Sequence, residues 1–125
     1  MSGDRPAQLD AMVRSAALAR RLFPRGGFDG VDTTGLQVLL AVLAAGENGC
    51  TIGDAAERLG LSPSTASAAV EPLRVRELLL QAVDPRDARR AILAVTERGE
   101  ALIAAFVTNR MADPSVVELM STARA

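Results

Sequence analysis

The chain has 125 residues, 49% apolar and 23% charged, with a formal net charge of −1, a single Cys and no His, Trp or Tyr. That length fits one domain with a core of its own. The missing histidine removes the commonest general base and metal ligand, and one cysteine allows neither an internal disulfide nor a zinc ligand set. No enzyme is expected, and no metal or cofactor.

A near-neutral chain has no overall attraction for nucleic acid, so the distribution of charge matters more than its sum. Arg74, Arg76, Arg86, Arg89 and Arg90 crowd into residues 74–90, with Glu71, Glu77, Asp84 and Asp87 around and among them. No apolar run approaches the roughly 20 residues a spanning helix needs, so no membrane association is expected. The opening MSGDRPAQLD has no basic stretch leading into an apolar one, which argues against a secretion signal. With the lone Cys50, this points to the cytoplasm.

The first helix is expected over residues 4–23, with Asp4 and Pro6 as start signals. Its apolar stripe is Leu9, Met12, Val13, Ala16, Ala19 and Phe23. Pro24 and the GGFDG stretch break it. A second helix is expected over Thr33–Ala45, with Leu36, Leu39, Leu40 and Leu43 on its inner face. Cys50 follows, read as a small core residue with no cation near it in sequence.

Thr51 and Asp54 have the spacing of a helix start, and the short helix after them should turn Ile52, Ala55, Ala56 and Leu59 inward. Gly60 suits the left-handed residue that closes a helix. Ser62 then caps a new helix with Pro63 at its first position. Two helices joined by a short turn containing Gly form a helix-turn-helix. In the second of them Ala66, Ala69, Val70 and Leu73 make the buried stripe. Ser64, Ala68 and Glu71 point the other way, with Thr65 and Ser67 on the flanks.

Beyond Leu78, LLLQAV and AILAV are strand-like and DPRDARR between them is polar. This predicts a hairpin with a seven-residue charged tip. Thr96 caps a further helix whose residues 101–107 are apolar all round and so expected to be buried on every side. A last helix over Ser115–Thr122 follows Pro114. The end helices carry more apolar surface than one small domain covers, which predicts self-association.

From about Thr34 to Leu102 the chain resembles the MarR family of bacterial winged-helix regulators. The resemblance rests on TIGDAAERLGLSPSTAS and on DPRDARRAILAVTERGEAL. The second stretch is the more specific: Asp87-x-Arg89, then Thr96 and Gly99, match the family's wing and the start of its dimer helix without insertion. The chain departs from the family pattern at Ala68, where an arginine is common. It departs again at Pro72, which deletes a hydrogen bond inside the recognition helix and should kink it. At Glu77 a glycine usually turns the chain into the wing.

The resemblance implies a mainly α fold, a winged helix-turn-helix with a small antiparallel hairpin. Residues 33–96 would form the DNA-binding lobe, and 4–23 and 97–122 the dimerisation helices. It implies a homodimer on palindromic double-stranded DNA, acting as a transcriptional regulator and repressor, with a small aromatic effector. Ser62, Ser64, Thr65 and Ser67 would meet backbone and base edges, and Arg74 a phosphate. Arg86, Arg89 and Arg90 would serve the wing, with Asp87 orienting Arg89. The alternative is a winged helix that has lost DNA binding and docks on protein, in keeping with the near-neutral charge, Ala68 and Pro72.

Overall fold

The computed structural model describes residues 5–124, in the order α1(Arg5–Leu22), α2(Thr33–Ala44), α3(Ile52–Leu59), α4(Pro63–Val75), β1(Leu79–Asp84), β2(Asp87–Val95), α5(Glu97–Met111), α6(Pro114–Arg124). Asp4, expected as the start signal of α1, lies outside the described residues. The chain divides into two compact units, one made from its two ends (up to Arg25 and from Phe106) and one spanning Gly26–Ala105.

In the first unit α1 packs on α6. Phe23 stacks on Phe106 with ring centroids 5.9 Å apart, and Phe106 and Val116 are buried. An Arg21 guanidinium N–H donates to Ser115 Oγ at 2.9 Å. None of the side chains of α1 is fully buried within this chain. Leu9, Met12 and Val13 are 55%, 67% and 67% exposed.

The second unit is built on α2. Asp32 caps it, its carboxylate accepting the Gly35 N–H at 2.8 Å, which satisfies an N–H that the first turn leaves without a partner. The buried residues of α2 are Gly35, Leu36, Val38, Leu39, Ala41 and Val42, whereas Leu40 is half-buried and Leu43 exposed. The expected inner face is thus partly replaced, because α3, α4 and β2 cover α2 from several directions. Ala55, Ala56, Ala66, Val70, Leu73, Leu78, Leu79 and Leu93 add to this core.

Two further expectations are corrected. The hairpin does not end in a seven-residue tip. β2 begins at Asp87, which pairs with Asp84 across Pro85 and Arg86, so Arg89 and Arg90 belong to the strand. Val83 pairs with Ala91, leaving Ala88, Arg89 and Arg90 as extra length in β2 where the register shifts; such a bulge twists a strand and redirects its side chains. The turn is tight because two aspartates hold it. Asp84 Oδ1 accepts the Arg86 N–H at 2.9 Å and Asp87 Oδ1 accepts the Arg89 N–H at 3.0 Å.

Residues 101–107, in turn, are not buried on every side in this chain. Leu102, Ile103 and Phe106 are buried, while Ala101, Ala104, Ala105 and Val107 are exposed. Alanine is apolar without demanding burial, so an apolar run rich in it overstates how much surface must be hidden.

Candidate nucleic-acid interface

The helix-turn-helix is made by local hydrogen bonds the sequence specifies. Thr51 Oγ1 accepts the Asp54 N–H at 3.0 Å, and the Asp54 carboxylate accepts the Thr51 N–H at 3.1 Å. The Thr51 N–H and hydroxyl, both bonding to the carboxylate, hold the Asp54 carboxyl below its ordinary value, with a smaller contribution from the Arg90 guanidinium. Gly60 adopts φ 69° to close α3, and the Leu61 N–H reaches back to the Ala56 carbonyl at 2.8 Å. Ser62 Oγ accepts the Thr65 N–H at 3.2 Å and donates to Thr65 Oγ1 at 2.8 Å, with Ser64 Oγ 3.3 Å away.

Helix α4 buries Ala66, Val70 and Leu73, with Ala69 half-buried. Its outward line at helical spacing is Ser64, Ala68, Glu71 and Val75, all exposed. Ser62, Thr65 and Ser67 are exposed beside it. The helix runs on through Pro72 to Val75, so the proline removes one backbone donor without ending it.

At its far end Glu77 takes φ 60°. The Glu77 N–H bonds the Arg74 carbonyl and the Leu78 N–H bonds the Leu73 carbonyl, both at 2.9 Å. This is the geometry that usually selects glycine, and here a glutamate adopts it.

Each arginine expected at the site faces a carboxylate. Arg74 meets Glu71 at 2.8 Å, Arg86 meets Asp84 at 3.9 Å and Arg90 meets Asp54 at 3.7 Å. Arg89 Nε lies 3.4 Å from the same Asp87 oxygen that accepts its backbone N–H, and the Arg89 side chain is 93% exposed. An open groove of about 600 Å³ runs between the start of α3 and the wing, lined by Thr51, Ile52, Asp54, Gln81, Arg89 and Arg90. Ser62, Ser64, Thr65, Ser67 and Arg74 lie on α4 or at its cap; Arg86, Asp87, Arg89 and Arg90 lie on the hairpin. All fall within the second unit.

Three features escaped the sequence reading. The Arg90–Asp54 pair ties the wing to α3 across a separation that no local pattern reveals. Cys50 pairs with Leu93 through both backbone groups, the Leu93 N–H reaching the Cys50 carbonyl at 2.7 Å, so the residue is fixed by its main chain. The side chain is buried, which pushes the thiol up; Asp54 adds to this, and Arg58, a cation not anticipated beside it, pulls weakly the other way. Third, Arg76 donates to the Asp29 carbonyl at 2.9 Å and Arg98 to the Arg76 carbonyl at 3.4 Å, joining the end of α4 to the turns around it.

Among the described residues, no helix is long and apolar enough to cross a membrane, and no three Cys, Asp or Glu side chains group as metal ligands would.

A paired α3–α4 with a β1–β2 hairpin behind it defines a winged helix-turn-helix protein. The sequence model of the MarR family matches residues 29–90. A point mutant of MepR from S. aureus is similar at 26% identity and a TM-score of 0.63, over 74% of this chain and 66% of that one. This chain therefore spans just under two thirds of that relative's length. The PcaV transcriptional regulator of Streptomyces coelicolor is similar at 28% identity and a TM-score of 0.60, over 86% and 75%. A MepR–DNA complex shares the fold at 20% identity and a TM-score of 0.62, over 98% of this chain and 92% of that one. No curated protein matches the sequence.

Proposed function

We propose that this protein is a sequence-specific DNA-binding transcriptional regulator, a repressor acting in the cytoplasm as a homodimer on an inverted repeat, and a binding protein without enzymatic activity. The observation that carries the reading is the exposed face of small side chains on α4, in the same unit as a wing whose Arg89 is 93% exposed and oriented by Asp87. A slender helix face fits a major groove, and an arginine on a hairpin reaches phosphates or the minor groove beside it.

In this reading Ser62, Ser64, Thr65 and Ser67 meet backbone and base edges, Arg74 a phosphate, and Arg86, Arg89 and Arg90 the DNA beside the wing. Residues 33–96 form the DNA-binding lobe. The helices over 4–23 and 97–122 join two copies, which would cover Leu9, Met12 and Val13, left open on this chain. One solved MepR structure holds DNA and another ethidium bromide; a small aromatic effector is the corresponding proposal here.

The second reading, a winged helix that docks on protein, is favoured by one observation: Arg74, Arg86, Arg89 and Arg90 each lie within 4 Å of a carboxylate, so the face is mixed in sign. Duplexes selected from a random pool decide between them. The regulator should enrich an inverted repeat with half-sites about 10 bp apart. An unenriched pool favours the protein-docking reading, and a single asymmetric half-site removes the dimeric one. Light scattering on the same sample should give twice the chain mass, and Met12→Asp should halve it without unfolding the protein.

A further inference from the structure

The outward side of α4 lacks the long side chains that read bases by paired hydrogen bonds. The major groove offers four kinds of signal: guanine acceptors suited to a bidentate Arg or Lys, the adenine edge suited to Asn or Gln, the cytosine amino group suited to Asp or Glu, and the thymine methyl, which takes an apolar contact. From Pro63 to Val75 the helix holds no Asn, Gln or Lys. Its first arginine is Arg74, in the last turn and held to Glu71 at 2.8 Å, so the same pair engages the one carboxylate that could read cytosine.

Three of the four hydroxyls at the leading end are also engaged within the chain, and that of Ser67 is exposed beside Ala68. Ser62 bonds the N–H and the hydroxyl of Thr65, and Ser64 stands 3.3 Å from Ser62. On the outward line this leaves the methyl of Ala68, one turn beyond Ser64, and further along Val75, which is 73% exposed.

We infer that this helix selects part of its half-site through a thymine methyl group, with Ala68 as a specificity-determining contact beside the flanking serines. The inference rests on the DNA-binding reading and sharpens it. A helix whose first two outward turns carry only Ser64 and Ala68 can lie deeper in the groove than one bearing an arginine at the same place. There the Ala68 methyl and a thymine C5 methyl exclude water from each other. Burying one methyl-sized group is a modest effect, about fourfold in affinity, so both half-sites of a palindrome together give roughly 15-fold.

The test starts from duplexes enriched by the full-length protein. Each half-site should contain a recurring thymine, and replacing that thymine by uracil, which removes only the methyl, should weaken binding about fourfold per half-site. With Ala68→Gly, checked for folding by circular dichroism, the thymine and uracil duplexes should bind equally, closing a double-mutant cycle on the pair. With Ala68→Arg, selection should replace the thymine by guanine. Enriched sites in which uracil substitution leaves affinity unchanged would overturn the thymine inference while leaving DNA binding intact. An equal uracil effect in the parent protein and in Ala68→Gly would remove Ala68 as the contact. A pool that enriches nothing overturns the regulator reading itself, and the inference with it.

Discussion

The Thr96 hydroxyl donates to the Glu77 carbonyl at 2.6 Å while its Oγ1 accepts the Gly99 N–H at 3.0 Å. One side chain thus caps α5 and pins the chain where it leaves α4 for the wing. Glu77, the residue it holds, sits at φ 60°, a conformation that costs an L-residue roughly 1–2 kcal/mol.

Two substitutions at this junction should move stability in different directions. Thr96→Val loses the cap and leaves the Glu77 carbonyl without its partner, costing about 1–2 kcal/mol. Glu77→Gly relieves the left-handed strain but loosens the unfolded chain by about 0.4–1 kcal/mol, so the net change should be near zero or slightly stabilising. Urea midpoints measure both. A clear loss of stability in Glu77→Gly would show that the glutamate side chain contributes more than its exposed pairing with Arg98 suggests.

Gly99 tests how closely α5 approaches the end of α4. A Cβ there would stand 2.2 Å from the Leu78 carbonyl oxygen and 2.7 Å from Val95 Cγ1. Backbone cannot yield cheaply, so Gly99→Ala should destabilise by about 1–3 kcal/mol. Gly53 is the control: it is exposed inside α3, and a Cβ meets only Thr51 Oγ1, at 3.6 Å. Gly53→Ala should be stabilising by up to about 1 kcal/mol, and thermal unfolding of the pair should show opposite shifts.

Asp54 gives a pH dependence of known sign. Its carboxyl titrates below the ordinary value because the folded chain supplies the Thr51 N–H and hydroxyl bonds. Its contribution is therefore fully present above the ordinary value of 3.8 and is lost as pH falls through the lower folded value. The stability gap between the parent and Asp54→Ala should be constant from pH 7 to 5 and close in more acid solution. A gap that stays open at the lowest pH where the protein remains folded would mean that the carboxylate charge is not what stabilises the cap.

Arg89 and Asp87 can be separated in DNA binding. Arg89→Ala should weaken binding to all sequences and reduce the salt slope by about one. Ser64 or Ser67 substitutions should instead change which bases are preferred. Asp87→Ala removes an anion near DNA, which by itself helps binding, and also the oxygen that orients Arg89 by two bonds. If orientation dominates, the loss appears in the parent and shrinks in an Arg89→Ala background. Tighter binding by Asp87→Ala, or equal losses in both backgrounds, would make Asp87 ordinary wing surface.

Local chemistry made much of this legible in the sequence. The caps Thr51, Ser62 and Thr96, Pro63 at the first helical position and Gly60 at a left-handed φ act within four residues of themselves, so their spacing alone places α3, α4 and α5. The strand-like LLLQAV and AILAV stretches marked the hairpin, and the family motif around Asp87-x-Arg89 added the roles of those two residues. What the tertiary structure decided lies beyond that range. The wing is tighter than its polar stretch suggested because Asp84 and Asp87 bond the turn backbone, and polarity alone does not distinguish a loop from a bulged strand. Leu43 is exposed and Val38 buried because α3, α4 and β2 surround α2, which a single helical stripe does not encode. The carboxylate partner of Arg90 comes from Asp54, and the main-chain partner of Cys50 from Leu93. These pairings form between segments far apart in the chain, where folding alone brings the groups together.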